Sequence, residues 1–266
     1  GASYNFMQKY YADLGLAVIH SAQLAPGHRE ALSPSLTLGW RLKNESFLKD
    51  VDAVDNMLLS VSGSIINEDI DLARGDVRYY LYKGIWTSDN GYGWYDGSND
   101  KYTYSKRGEN EDLGFIKRKE LSLSFKTSLW KHFVTLDANF FINSMEGYLI
   151  DSPTFFPSHL NTSYPQGSFM PVLNYNNDRR VGFDFALNFN RKFGETDLSL
   201  GLTGTYYNTK ATKVDENNVE AYQNRQGKAI DGIWGYKGAG FFQSEAEITA
   251  SPDQSSLGST VRPGDI

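Results

Sequence analysis

The chain contains no cysteine in its 266 residues, which removes disulfide bridges, thiolate metal ligands and cysteine nucleophiles from consideration together. It has no continuous apolar run approaching about 18 residues, the length a membrane-crossing helix needs. Its mean hydropathy is −0.48. Neither fact excludes barrel strands, which hide their hydrophobicity by alternation. Long runs of Leu, Ala and Glu are missing. Cations are in deficit, with 26 Lys and Arg against 32 Asp and Glu and a net charge of −6. The basic residues are scattered, so no stripe follows a phosphate backbone and nucleic acid is not an expected partner. The four histidines, His20, His28, His132 and His159, show no metal-ligand spacing, and no metal or cofactor is expected. Gly1-Ala2-Ser3-Tyr4-Asn5-Phe6 begins in strand-like sequence with no charged segment and apolar core of a signal peptide, so the start reads as a cut.

Aromatic residues are abundant, at 14% of the chain with 17 Tyr and 16 Phe, beside 25 Gly. That profile favours strands and turns. Period-two alternation is explicit over residues 134–142, where Val134, Leu136, Ala138, Phe140 and Ile142 oppose Thr135, Asp137 and Asn139. Leu121, Leu123 and Phe125 oppose Ser122, Ser124 and Lys126. Val181, Phe183, Phe185, Leu187 and Phe189 oppose Gly182, Asp184, Ala186, Asn188 and Asn190. Weaker alternation marks Leu198, Leu200 and Leu202; Leu36, Leu38, Trp40 and Leu42; Leu14, Leu16 and Val18; and Met57, Leu59 and Val61. The face opposite the apolar one is repeatedly small or polar, as in a strand with lipid on one side and water on the other. A strand of a soluble sandwich also alternates, so both readings stay open at this step.

The connections are more discriminating. Short ones fall at 7–9, 130–132 and 192–195. Long ones fall at about 21–32, 67–114, 144–179 and 210–266. A medium link at 43–55 includes a possible helical turn at Glu45-Ser-Phe-Leu48. Short and long never share an end, which is the asymmetry of an outer-membrane barrel with short periplasmic turns and long extracellular loops. The fold class expected is all-β: at least eight strands of an antiparallel up-and-down transmembrane β-barrel, with residues 1–266 forming part of one domain. Tyr79-Tyr80-Leu81-Tyr82, though strand-like, must lie in an extracellular excursion, because counting it as a spanning strand would reverse every later turn. On this reading Val134, Leu136, Phe140, Phe183, Phe185, Leu198 and Leu200 face lipid, and Thr135, Asp137, Asn139, Asp184 and Asn188 face the lumen.

Residues 84–112 carry Trp86, Tyr92, Trp94, Tyr95, Tyr102 and Tyr104 among Gly, Asn, Asp and Ser. These rings are candidates for stacking on substrate; the competing reading is that they pack the loop or join an interfacial girdle. The loop from Asp151 to Asp178, with Pro153, Phe155, Phe156, Pro157, Pro165, Phe169 and Pro171, reads as a rigid excursion suited to a partner or to packing on itself. Gly235-Tyr-Lys-Gly-Ala-Gly240 lacks the strand and helix a phosphate loop requires. Ser244-Glu-Ala-Glu247 fits a capping box and predicts a short helix. Asn44-Glu-Ser46 and Asn161-Thr-Ser163 match the glycosylation pattern and are discounted. No nucleophile, acid/base pair or phosphate-binding set stands out, so the chain is not expected to be an enzyme.

Several stretches, in order, resemble the SusC/RagA-like TonB-linked outer-membrane transporters of Bacteroidetes. They are Ser3-Tyr4-Asn5-Phe6 with Lys9-Tyr10; Pro26-Gly27-His28-Arg29; Pro34-Ser-Leu-Thr-Leu-Gly-Trp-Arg41 with Glu45-Ser-Phe-Leu48; Phe115-Ile-Lys-Arg-Lys-Glu120; and Asn176-Asn-Asp-Arg-Arg-Val-Gly-Phe-Asp184. The strongest block is Arg225-Gln-Gly-Lys-Ala-Ile-Asp-Gly-Ile-Trp-Gly235 with Gly240-Phe-Phe-Gln-Ser244, followed by Pro263-Gly264-Asp265-Ile266. The resemblance implies the middle of a barrel of roughly 22 strands, without plug, TonB-contacting segment or final strands, so that the barrel is incomplete here and the end is a break. It also implies active nutrient import across the outer membrane, with a SusD-like surface lipoprotein closing over the mouth and TonB acting through the absent plug. A glycan oligosaccharide is the favoured substrate and a peptide the other. The rival function is a soluble, extracellular, carbohydrate-binding β-sandwich.

Overall fold

The computed structural model describes residues 1–69, 80–93, 97, 99–151, 153–163, 166–235, 238, 240–254, 258 and 260–265. The strands are β1 (Ala2–Phe6), β2 (Tyr10–His20), β3 (Glu30–Arg41), β4 (Val54–Glu68), β5 (Ile85–Gly93), β6 (Asn99–Arg107), β7 (Ile116–Leu129), β8 (Val134–Ile150), β9 (Asn161–Ser163), β10 (Gln166–Ser168), β11 (Leu173–Phe193) and β12 (Thr196–Lys213), and one helix follows, α1 (Glu245–Ala250). Eight strands form one antiparallel sheet in the order β1-β2-β3-β4-β7-β8-β11-β12, while β5-β6 and β9-β10 are separate hairpins. The chain divides into two compact units, Gly1–Ile230 and Asp231–Ile266.

Seven of the eight strands are those whose alternation is visible in the sequence, the eighth, β1, being the strand-like start of the chain, and their register lines up the two faces across the whole sheet. Tyr4, Ala12, Leu38, Val61, Leu123, Phe140, Phe183 and Tyr206 are successive cross-strand partners. The adjacent row is Asn5, Tyr11, Gly39, Ser60, Ser124, Asn139, Asp184 and Thr205. Directly paired residues point to the same side, so one face is apolar and the other polar over all eight strands. The apolar face is uncovered: Leu198, Leu200 and Leu202 are 56%, 64% and 58% exposed. A sandwich would bury this face against a second sheet; the remaining hydrogen-bonded sheets among the described residues are two-stranded hairpins.

The short connections share one end of the sheet, and they are tight enough to force non-glycine residues into the left-handed region. Met7 and Gln8 have φ of 54°, and Trp130, Lys131 and His132 have φ of 54°, 59° and 62°. This conformation costs about 1–2 kcal/mol per residue. Side-chain oxygens offset part of it: Asn5 Oδ1 accepts the Gln8 N–H at 2.9 Å, and Asp55 Oδ2 accepts the His132 N–H at 2.8 Å. The link between β3 and β4 turns through Leu42–Asn44 and then through an i to i+4 bond from Lys49 N–H to Glu45 O at 2.8 Å. Glu45 fastens it to the neighbouring hairpin, accepting from Lys9 Nζ (2.9 Å), Tyr10 Oη (2.9 Å) and Trp40 Nε1 (3.1 Å).

Conventional burial occurs at the opposite end. Leu24, Ala25, Leu81, Tyr82, Leu113, Phe115, Leu149 and Val172 form the hydrophobic core, with Ile19 and Ala31 packed against it. These residues come from the long connections and the strand ends beside them. Tyr80, Leu81 and Tyr82 lie outside the sheet strands.

In the unit Asp231–Ile266, Ser244 Oγ accepts the Glu247 N–H at 3.3 Å and Glu247 Oε2 reaches back to the Gln243 N–H at 2.7 Å, capping α1 as its sequence predicts. Phe242 N–H donates to Asp265 O (2.9 Å) and Gly264 N–H to Phe242 O (2.8 Å), joining the segment just before α1 to Gly264 and Asp265.

Candidate functional site

The polar face carries a hydrogen-bonded row rather than isolated side chains. Ser124 Oγ donates to Asn139 Oδ1 at 2.8 Å, and Asn139 Nδ2 donates to Asp184 Oδ2 at 3.1 Å. Around this row Ser62 and Ser122 share a bond of 2.6 Å, Asn143 Nδ2 donates to Glu120 Oε1 at 3.1 Å, and Lys126 Nζ pairs with Asp137 at 3.7 Å. Asn188 Nδ2 reaches Thr135 Oγ1 at 3.5 Å. An open concavity of about 820 Å³ lies over Ser122, Ser124, Lys126, Asp137, Asn139 and Asp184. A second, of about 460 Å³, lies over Ser62, Ser64, Arg118, Glu120 and Asn143.

Chemically this is a wall of hydroxyl, amide and compensated charge. A hydroxyl or carboxamide that donates sideways keeps lone pairs that can accept from a solute where its oxygen is exposed, while Asn143 Oδ1 is buried. Exposed ion pairs such as Lys126–Asp137 contribute little and exchange readily with water. The arrangement supplies many weak, replaceable contacts. Among the described residues no group of three or more His, Asp or Glu is placed to hold a metal.

Thr135, Asp137, Asn139, Asp184 and Asn188 stand together on this face. Val134, Leu136, Phe140, Phe183, Phe185, Leu198 and Leu200 stand together on the other, as the register requires.

The loop aromatics behave differently. Trp86 is 62% exposed and meets Phe169, from the connection before β11, edge to face at 5.9 Å. Tyr102 and Tyr104 stack on one another at 5.4 Å. Cross-strand pairing sets Trp86 opposite Ser105, and Thr87 and Asp89 opposite Tyr104 and Tyr102, so Trp86 and the two tyrosines occupy opposite sides of the β5-β6 hairpin. These three rings do not form one platform. Trp94, Tyr95 and the side chain of Tyr92 lie outside the described residues.

The hairpin is held by backbone acceptors of the connection between β8 and β11. Ser105 Oγ donates to Ser168 O (2.7 Å), Gly108 N–H to Met170 O (3.0 Å) and Asn110 Nδ2 to Val172 O (2.7 Å). Asn174 joins the connection before β7 to β8, donating to Gly114 O (3.0 Å) and Gly147 O (2.9 Å) and accepting from the Gly114 N–H (2.8 Å). At Gly108 an added Cβ would collide with the Phe169 carbonyl, so glycine is required there. None of these partners is signalled by periodicity.

Beyond β12, the Arg225-Gln segment is captured by Glu216. Its carboxylate accepts the Arg225 N–H at 2.8 Å and the Gln226 N–H at 2.9 Å, and these bonds, that from Arg225 first, hold it below the usual carboxylate range. Asp215 accepts from Thr154 Oγ1 at 2.7 Å, tying the same loop to the one before β11.

No family model matches the chain. In sequence it is 28% identical over 116 residues to the TonB-dependent receptor SusC of Bacteroides thetaiotaomicron, a match covering 43% of this chain and 11% of that protein. In fold it is similar to the RagAB peptide transporter, with a TM-score of 0.61 and 16% identity over 80% of this chain and 21% of the other. The RagAB peptide importer in its open-open state gives a TM-score of 0.64 at 16% identity, covering 80% and 21% of the two chains. Its closed-closed state gives 0.62 at 16%, covering 81% and 22%. The chain thus spans about a tenth of its curated relative and about a fifth of the solved ones.

Proposed function

We propose that this chain, a SusC/RagA-like TonB-dependent β-barrel segment of the outer membrane, forms part of the wall of an active nutrient importer. The observation that carries this reading is the opposition of two chemically different faces, in register across eight strands, with the apolar one uncovered. An exposed apolar surface of that extent needs a lipid or a protein to cover it, and the pattern of connections favours lipid. Val134, Leu136, Phe140, Phe183, Phe185, Leu198 and Leu200 then face acyl chains. Thr135, Asp137, Asn139, Asp184 and Asn188 face a wet lumen.

In this function the long-connection end is extracellular and receives substrate beneath a SusD-like surface lipoprotein, while TonB supplies energy through a plug carried elsewhere in the protein. Fractionation of the full-length protein tests it: retention in the outer membrane after a carbonate wash, with a co-purifying lipoprotein, supports import. Release as a soluble monomer would leave the carbohydrate-binding β-sandwich.

The substrate reading is a glycan oligosaccharide. The hydroxyl- and amide-rich wall suits sugar hydroxyls, and Trp86, Tyr92, Trp94, Tyr95, Tyr102 and Tyr104 place aromatic character in the loop that substrate passes. The fold likeness to the RagAB peptide importer favours a peptide as the second reading. Competition between labelled oligosaccharide and peptide pools for uptake separates them. Unchanged uptake after Trp86→Ala, Tyr102→Ala and Tyr104→Ala are combined would overturn the role of these rings and leave the barrel standing.

A further inference from the structure

Arg191 departs from the chemistry of the face it occupies. It follows Phe183, Phe185, Leu187 and Phe189 at two-residue spacing along β11, and its cross-strand partner is Leu198. Its guanidinium lies 5.2 Å from the centre of the Phe193 ring and 5.7 Å from that of Phe133. Phe133 in turn meets Phe189 edge to face at 6.2 Å. Among the described residues Arg191 has no ion pair and no side-chain hydrogen bond. The nearby acidic residue of β12, Asp197, is paired across strands with Lys192, on the opposite face.

Position decides what such a cation meets. Arg191 lies two residues before the end of β11 at Phe193 and the short turn through Gly194. The apolar row from Phe183 to Arg191 runs about 27 Å along the strand, about 20 Å along the membrane normal after tilt and so most of an apolar band about 25 Å tall, which sets Arg191 beside the aromatic girdle at the short-turn end. An arginine there turns its stem along apolar surface and its head toward the headgroups. The two rings hold the guanidinium in place and leave its in-plane N–H donors unpaired.

The geometry points to a phospholipid-phosphate site at the short-turn end of β11 and β12. Arg191 donates paired N–H bonds to the phosphodiester oxygens of a phospholipid in the leaflet at that end. The acyl chains lie along Phe189, Leu187 and Leu198. Guanidinium and phosphate match as a bidentate pair, which a lysine cannot reproduce. The inference rests on the outer-membrane reading proposed above.

The test uses the full-length protein in nanodiscs of phosphatidylglycerol mixed equally with phosphate-free digalactosyldiacylglycerol, with the lipids retained on release identified by native mass spectrometry. The wild type is expected to retain phosphatidylglycerol preferentially. Arg191→Gln should retain about fivefold less, and Arg191→Lys an intermediate amount. Retention of both lipids in the bulk ratio by the wild type, or undiminished retention by Arg191→Gln, overturns the site while membrane insertion stands. If Arg191→Gln does not insert, the wild-type comparison between the two lipids decides alone. Release of the wild type by a carbonate wash, scored separately, would instead remove the barrel reading itself.

Discussion

Replacing Leu113 by alanine removes three carbons from the centre of the loop-end core, where Leu113 is fully buried beside Leu24, Leu81 and Val172. Burial of a leucine side chain contributes about 1.5–3 kcal/mol, and the cavity left behind adds to the loss. A loop core collapses more readily than one between helices, so about 3 kcal/mol is expected, near the lower end of the range for such substitutions. At 1.4 kcal/mol per factor of ten, that raises the locally opened population on the order of a hundredfold. The assay is limited proteolysis of the full-length protein in membranes, with protease on the long-connection side. Cleavage within residues 81–115 and 149–172 is expected to accelerate by that factor while closing remains faster than cutting. The eight-strand sheet, whose register does not depend on Leu113, should keep its heat-modifiable migration in gels. Unchanged loop cleavage, or equal loss of protection in β7 and β8, would refute the separation of loop core from wall.

Other outcomes follow from the same geometry. Leu202→Arg should cost about 2–4 kcal/mol in vesicle unfolding titrations if its side meets the middle of the bilayer, since its partner Leu187 lies four residues from Arg191, whereas Thr203→Arg, on the opposite side, should cost less than about 1 kcal/mol. Glu45 is held below the usual carboxylate range by its bonds from Lys9, Trp40 and Tyr10. A carboxylate depressed in the folded state stabilises above its unfolded pKa of about 4.3 and loses that effect as pH falls through the lower folded value. Amide protection in residues 7–9 and 42–48 should therefore decline below about pH 4, and Glu45→Gln should remove that pH dependence. Gly108→Ala should release the β5-β6 hairpin from the Phe169–Met170 backbone, read as faster exchange of the Gly108-position amide.

The sheet was legible because lipid-type alternation is a period-two signal carried by adjacent residues. Residues 134–142 oppose aliphatic or aromatic side chains to Thr, Asp and Asn, residues 181–189 oppose them to Gly, Asp, Ala and Asn, and both lie inside observed strands. The strands also extend where that signal fades. β8 continues to Ile150 and β11 begins at Leu173, because bonds such as Tyr148 Oη to Asp178 Oδ2 at 3.0 Å replace face alternation there. The β5-β6 hairpin was hidden for the same reason: its sequence is rich in Gly, Asp, Asn and Tyr and has no apolar side to repeat. The loop core was illegible in principle, since Leu24, Leu81, Leu113 and Val172 are isolated positions without periodicity, far apart in the long connections, that only the tertiary fold brings together. The loop aromatics were visible as a composition, but the ring that Trp86 meets, Phe169, lies 83 residues further along the chain, and no local pattern announces it.

The absence of cysteine makes the central claim directly measurable, because single cysteines can be placed on either face. In full-length protein freed of other thiols and inserted in membranes, Phe140→Cys, Phe183→Cys and Leu200→Cys should resist a charged, water-soluble thiol reagent and react with a lipid-soluble maleimide. Asn139→Cys, Asp184→Cys and Asn188→Cys should take the charged reagent. Equal labelling of the two sets by the charged reagent, or the reverse pattern, would contradict a wall with lipid on one face and a wet lumen on the other.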